Sequence, residues 1–163
     1  SLADNGDLVW VGVSQGSTSA LRYQPGQDQG KVVHLASSAG GQAWLAGMSD
    51  EDAISLVMRQ GLVKDNAPGV SAPVTVADLL SVLKTVRERG YAVNHDSYLD
   101  GMAAIAMVVR NPDSGEPIGA VSVAGPSVRV TPEVMDTYVE PLRRAAIALG
   151  DASRASLYFS KRE

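Results

Sequence analysis

Two histidines, His34 and His95, and two loop aspartates, Asp96 and Asp100, are the residues whose types suggest acid–base chemistry. The histidines lie far apart, without the HxxxH or HxH spacing that brings two imidazoles to one metal. His34 reads as a strand-edge residue, and lone loop carboxylates such as Asp96 and Asp100 are commonly solvated turn residues. The chain has no GxSxG elbow, no P-loop and no GxGxxG after a strand. With zero cysteines, thiolate catalysis, disulfides and cysteine-ligated metal sites are excluded. No set of nucleophile, base and orienting group emerges, so ligand binding is expected rather than catalysis, with no cofactor and no metal. A small hydrolase or isomerase working through His34 or Asp96 is the rival from another class.

A binding chemistry is suggested by small residues at strand spacing. Ser122 and Ala124 stand two apart on one apolar segment, Ala104 and Ala106 two apart on another. Side chains alternate faces along a strand, so each pair shares a face. A row of small residues with one hydroxyl leaves space of the kind a small-molecule pocket uses. Taken alone, the row is more ordinarily the mark of a helix packed close. The same two readings attach to Ala36-Ser37-Ser38-Ala39-Gly40-Gly41, six small residues ahead of a helical segment. Ala39, Gly40 and Gly41 either form one wall of an acid-binding pocket, offering backbone N–H groups, or make a tight strand-to-helix turn.

These residues depend on a hairpin. Ala103–Val109 and Ile118–Ala124 flank the turn-rich Asn111–Pro117, and both runs lack polar alternation. They are expected at the centre of an antiparallel sheet covered on both faces. Asp7–Val13, Ala20–Tyr23 and Val32–Leu35 read as earlier strands, Gln24–Lys31 as a loop, and Tyr91–Val93 as the start of the central sheet, followed by a polar connection from Asn94 to Asp100. Helices are expected over Gln42–Gly47, from the Ser49 cap to Gly61, from the Thr75 cap to Gly90, and from Thr131-Pro132 to about Leu149, with a kink or break at Pro141. Asn66–Pro73 reads as a loop. The tail, with Leu157, Tyr158 and Phe159, reads as a segment that packs on the core or on another subunit.

At 163 residues, 45% apolar and 20% charged, the chain fits one soluble globular domain. It contains no apolar run long enough to span a bilayer, and SLADNGD lacks the features of a signal peptide. A cytoplasmic location without membrane association is compatible with this. A net charge of −4 and scattered basic residues argue against DNA binding by this domain itself.

Several motifs in order resemble the effector-binding domain of the IclR family of bacterial transcription regulators. They are Arg-Glu-Arg-Gly-Tyr at 87–91, Asp-Gly at 100–101, the alanine-rich strand, and Val-Ser-Val-Ala-Gly-Pro-Ser at 121–127, followed by Arg129 and Thr131-Pro132. Upstream, Ser38-Ala39-Gly40-Gly41-Gln42-Ala43-Trp44-Leu45-Ala46 is similar to that family's small-residue turn and helix. The resemblance runs from about Leu8 to Leu149. It implies an α/β domain of GAF-like type, with a central antiparallel β-sheet flanked by helices. The helices over 42–60 and 75–89 are expected on the ligand side, and the 131–149 helix on the other.

The resemblance also implies a small organic acid effector and self-association as a dimer or tetramer. Operator DNA would be contacted only through a winged helix-turn-helix that precedes the domain in the family and is not seen in this chain. A free-standing GAF-like sensor serving another output is the nearer rival. Carried over position by position, the implied ligand site comprises Ala39, Gly40, Gly41, Asn94, Met102, Ala104, Ser122 and Ala124. Ser122 keeps one of two family serines, and Ala124 replaces the other. Ala104 stands at a cysteine position, Asn94 at an aspartate position and Ala36 at a histidine position, while Met102 supplies an apolar wall. A less polar site implies an aromatic or aliphatic acid rather than glyoxylate or pyruvate.

Overall fold

The computed structural model describes residues 1–12, 14, 29–62, 69 and 71–155. Its sheet has five strands in the order β2-β1-β5-β4-β3, every neighbouring pair antiparallel. They are β1 (Leu2–Asp4), β2 (Asp7–Val9), β3 (Ala92–His95), β4 (Met102–Arg110) and β5 (Pro117–Pro126). The β4–β5 hairpin lies inside the sheet, as its apolar runs require. Its turn is closed by Asn111, whose Oδ1 accepts from the N–H groups of Asp113 at 2.8 Å and Ser114 at 3.2 Å. Gly115 follows at φ 75°, a conformation natural to glycine.

Residues of β4 alternate between two cores. Ala103, Ile105, Met107 and Val109 pack with Val130, Met135, Leu142 and Ala146. The last three belong to α4 (Pro132–Ser153), which therefore covers that face. Ala106 on the opposite face packs with Ala39, Ala43, Val86 and Ala92. That face carries α1 (Ala39–Leu45), anchored where Trp44 Nε1 donates to the Pro117 carbonyl at 2.9 Å. Behind α1 lies a third cluster, in which Leu35, Leu45, Val57, Leu79 and Leu83 are wholly buried. It joins α1 to α2 (Asp50–Gln60) and α3 (Val76–Arg89). Each such aliphatic side chain contributes about 1.5–3 kcal/mol of hydrophobic stabilisation. The helices thus divide between the faces as expected, in a mixed α/β fold of GAF-like type.

The helix starts follow local chemistry. Ser49 accepts from Asp52 N, and Thr131 caps α4 ahead of Pro132 and Glu133. At α3, Thr75 Oγ1 accepts from Asp78 N at 3.1 Å while Asp78 Oδ2 accepts from Thr75 N at 3.0 Å. Hydrogen bonds from the Thr75 hydroxyl and backbone hold the Asp78 carboxyl below its ordinary value. A depressed folded-state pKa contributes stability above the unfolded value of about 4, lost as pH falls towards the folded value. An Asp78→Asn variant should therefore melt slightly below the parent at pH 7. Melting curves at successively lower pH should show that gap closing below about pH 4, and a gap independent of pH would contradict the assignment.

Five expectations need correction. Within Asp7–Val13 the described residues form a strand only to Val9, as half of a hairpin with β1 turning at Asn5 and Gly6, φ 47° and 82°. Val32–Leu35 makes one bridge, Val32 to Val9, and then turns, with Ser38 N donating to the His34 carbonyl. The first helix begins at Ala39, not Gln42, because Ser38 is its cap and accepts from Gly41 N at 3.0 Å. α4 runs unbroken past the exposed Pro141 to Ser153, since Leu142 and Ala146 seat it on the sheet beyond the proline. Asn94 and His95 also belong to β3 rather than to the connection after it. Ala20–Tyr23, most of the Asn66–Pro73 loop and the tail from 156 onward lie outside the described residues.

Candidate functional site

The register sets the candidate residues into rows. Ala104 of β4 faces Asn94 of β3 on one side and Ala124 of β5 on the other. One step along, Ala106 faces Ala92 and Ser122. Met102 ends the series opposite Pro126. All share the face on which α1 lies, but α1 covers only part of it. Ala92 and Ala106 are fully buried, whereas Met102, Ala104 and Ser122 are half-buried and Ala124 is exposed. The result is a floor of methyl groups, open among the described residues, beside the start of α1.

The wall is that helix start. Ala39 packs with Ala92 and Ala106, and Ala104 borders the same cluster. The Ser38 hydroxyl takes the Gly41 N–H, which leaves the Ala39 and Gly40 N–H groups as first-turn donors without intrahelical acceptors. Gly40 faces β5, where an added Cβ would meet only the Ala120 Cβ, at 3.8 Å. Gly41 looks the other way, its Cα pressed on the backbone of Leu35. Of the eight candidates, Ala39, Asn94, Ala104, Ser122 and Ala124 thus surround one stretch of floor. Met102 and Gly40 stand at its margins, and Gly41 packs behind the wall.

The polar groups around the floor form a buried network. Asn94, 6% exposed, donates from Nδ2 to the Ser37 carbonyl at 2.7 Å. The Ser97 hydroxyl donates to the same carbonyl at 2.9 Å. The Ser37 N–H reaches His34 Nδ1 at 3.3 Å and the Ser37 hydroxyl lies 2.8 Å from it. Nδ1 is therefore an acceptor, which places the proton of the neutral ring on Nε2. Asp96 is likewise committed, its Oδ1 accepting from Gly101 N at 2.6 Å within its own loop, at φ 51°. The acid–base groups weighed for a hydrolase or isomerase are thus engaged in holding turns. No group of three or more potential metal ligands occurs among the described residues.

Ser37 and Ser97 are participants that the sequence reading passed over. Their signal was present but weak: one sits in the six-residue run of small residues, the other in the polar connection after β3. Two surface grooves lie elsewhere. One of about 380 Å³ runs between the ends of α1 and α3 past Arg87, Tyr91 and Arg110. One of about 160 Å³ lies between α3 and Val93. None of the eight candidate residues lines either.

This architecture matches known proteins along most of its length. The family model described as bacterial transcriptional regulator IclR C-terminal matches residues 7–150, and the chain belongs to that family. The transcriptional repressor AllR of Escherichia coli K12 is 29% identical over 120 residues, 72% of this chain and 42% of the relative. The chain thus spans less than half the length of that relative. Among solved structures, Thermotoga maritima IclR superposes with a TM-score of 0.77 at 22% identity, covering 93% of this chain and 57% of that one. The inducer-binding domain of PobR from Acinetobacter, a double mutant in complex with 3-hydroxybenzoic acid, gives 0.74 at 24% identity, covering 91% and 84%. The C-terminal domain of the E. coli regulator KdgR gives 0.64 at 27% identity, covering 72% and 70%. The family and these relatives are transcription regulators, not enzymes. No helix among the described residues is long and apolar enough to cross a membrane.

Proposed function

We propose that this chain is the effector-binding part of a transcription regulator and that its effector is a small organic acid, aromatic or aliphatic. The observation that carries the reading is the row Asn94–Ala104–Ala124, an open strip of sheet with a methyl group where a larger side chain would fill the space. Ala39, Gly40, Asn94, Met102, Ala104, Ser122 and Ala124 line the bound acid, and Gly41 sets the path of the wall. The first-turn N–H groups and the Ser122 hydroxyl receive the carboxylate, and the methyl groups take the hydrocarbon. The single hydroxyl favours a more apolar acid than glyoxylate, because each missing polar partner costs a buried polar group about 1–3 kcal/mol.

Binding is read out by a shift between subunit arrangements of a dimer or tetramer. A separate helix-turn-helix contacts the operator, in the cytoplasm. The inducer complex of PobR, a protein of the same fold, supports the aromatic end of this range. Thermal-shift and calorimetric titration with a panel of acids tests the reading. Stabilisation by benzoate-like or medium-chain aliphatic acids is expected at concentrations where glyoxylate has little effect. Preferential stabilisation by glyoxylate would defeat the apolar-acid assignment.

A further inference from the structure

The segment Val33–Ser38 leads into the wall of the acid site. It touches β2 only at its start, where Val33 N donates to the Leu8 carbonyl, and among the described residues no strand runs beside it further on. Its backbone is nevertheless buried, and buried peptide groups need partners. Side chains supply several of them. Gln42 Nε2 donates to the Ala36 carbonyl at 2.8 Å, and Asn94 and Ser97 donate to the Ser37 carbonyl. Gln60, the last residue of α2, makes two such bonds. Its Oε1 accepts from Leu35 N at 2.7 Å, and its Nε2 donates to the Val33 carbonyl at 2.9 Å. The amide thus imitates the edge of a neighbouring strand, offering one acceptor and one donor to residues two apart. What Gln60 holds reaches the site on both sides. Gly41, next to the wall residues Ala39 and Gly40, is seated on the Leu35 backbone, where an added Cβ would lie 2.6 Å from the Leu35 Cα. Two residues after Leu35, the Ser37 carbonyl carries Asn94, the end of the row through Ala104 and Ala124. A shift of Leu35 therefore moves the wall against the floor.

We propose that Gln60 is a positioning residue for the effector site, so that acid affinity is set from α2 through its paired bonds to Val33 and Leu35. This rests on the acid-binding reading above. Gln60 touches no ligand; it fixes the turn against which α1 is seated. The pairing needs one donor and one acceptor from a single side chain of that length. A carboxylate offers acceptors only and sets an electron-rich oxygen against the Val33 carbonyl, whereas a protonated carboxyl again offers one of each. A Gln60→Glu variant should therefore bind acid in a pH-dependent way that a variant lacking both groups does not share.

The test titrates benzoate calorimetrically into the 163-residue chain and three variants at about pH 7.5 and about pH 5.5, a range in which a half-buried carboxyl facing a carbonyl takes up its proton. His34, within the held turn, titrates there too, so each variant is compared with the parent at the same pH. Gln60→Glu should bind about tenfold more weakly than the parent at the higher pH and regain most of that loss at the lower. Gln60→Met, of similar length without either polar group, should stay about tenfold weaker at both. Arg59→Ala loosens α2 elsewhere, from the Gly6 carbonyl and the Asp7 carboxylate, and should keep the parent's affinity. Parent-like affinity in both Gln60 variants overturns this inference alone. So does an equal loss in Arg59→Ala, or a loss in Gln60→Glu that ignores pH. Where neither Gln60 variant folds, the parent decides, because coupling is reciprocal. Saturating benzoate should slow hydrogen exchange at the Leu35 amide about tenfold more than at the amides of α4, and equal slowing overturns the inference. Absence of benzoate binding by the parent overturns the acid-binding reading and this inference with it.

Discussion

An Ala104→Leu variant is expected to retain its fold and lose acid binding by at least about a hundredfold, or roughly 2.7 kcal/mol. Ala104 is the middle member of the row from Asn94 to Ala124, half-buried on a face that α1 leaves partly open. A leucine there stands up from the floor into the volume assigned to the effector. It meets no tightly packed neighbour on the open side, so the stability change should stay within about 1 kcal/mol. Calorimetry with benzoate, paired with thermal melting, separates the two effects. Undiminished binding would place the ligand elsewhere, for instance in the groove beside Arg87 and Arg110. Loss of both binding and fold would show that the strip is structural packing.

The second large effect falls on stability. Gly41→Ala drives a Cβ into the Leu35 carbonyl, with the Leu35 Cα at 2.6 Å and its carbonyl carbon at 2.8 Å. All three are backbone atoms of a fully buried residue, so relief requires moving α1 as a body off the turn that precedes it. A loss of about 3 kcal/mol is expected, which for a chain of this size lowers the melting temperature by roughly 6–12 °C. The adjacent Gly40→Ala should behave oppositely, because its Cβ meets only the Ala120 methyl at an ordinary 3.8 Å. Alanine also suits a helix better by about 0.5–1 kcal/mol. Equal destabilisation by the two substitutions would refute the asymmetry of this turn.

Much of the scaffold was legible because local chemistry and burial agree there. Thr75 with Asp78, and Thr131 with Pro132, mark helix starts that tertiary packing has no reason to move. The apolar runs about Asn111–Pro117 specify a hairpin, and the absence of polar alternation correctly places it between two layers. Where reading failed, a weak local signal was outweighed by a distant one. Asn5-Gly6 is a two-residue hairpin signal, but the strand before it is three residues long and gains its register from β5. Pro141 is a helix breaker that loses to the seating of Leu142 and Ala146 on the sheet.

The site was legible unevenly for a related reason. Ser122, Ala124 and Ala104 could be placed on one face by counting in twos. The bonds that Asn94 and Ser97 donate to the Ser37 carbonyl span 57 and 60 residues of sequence and leave no periodic trace. Nor does the opposite orientation of the paired Gly40 and Gly41, which depends on the neighbour each meets.

Ala104, in the strip proposed to hold the effector, is joined by peptide bonds to Ala103 and Ile105, both buried against α4. The seat of the longest described helix and the surface proposed to meet the effector are therefore two sides of one ribbon. Any tilt or spreading imposed from above is felt below without a chain of intermediary contacts. The proposed effector signal has a thickness of one strand to cross.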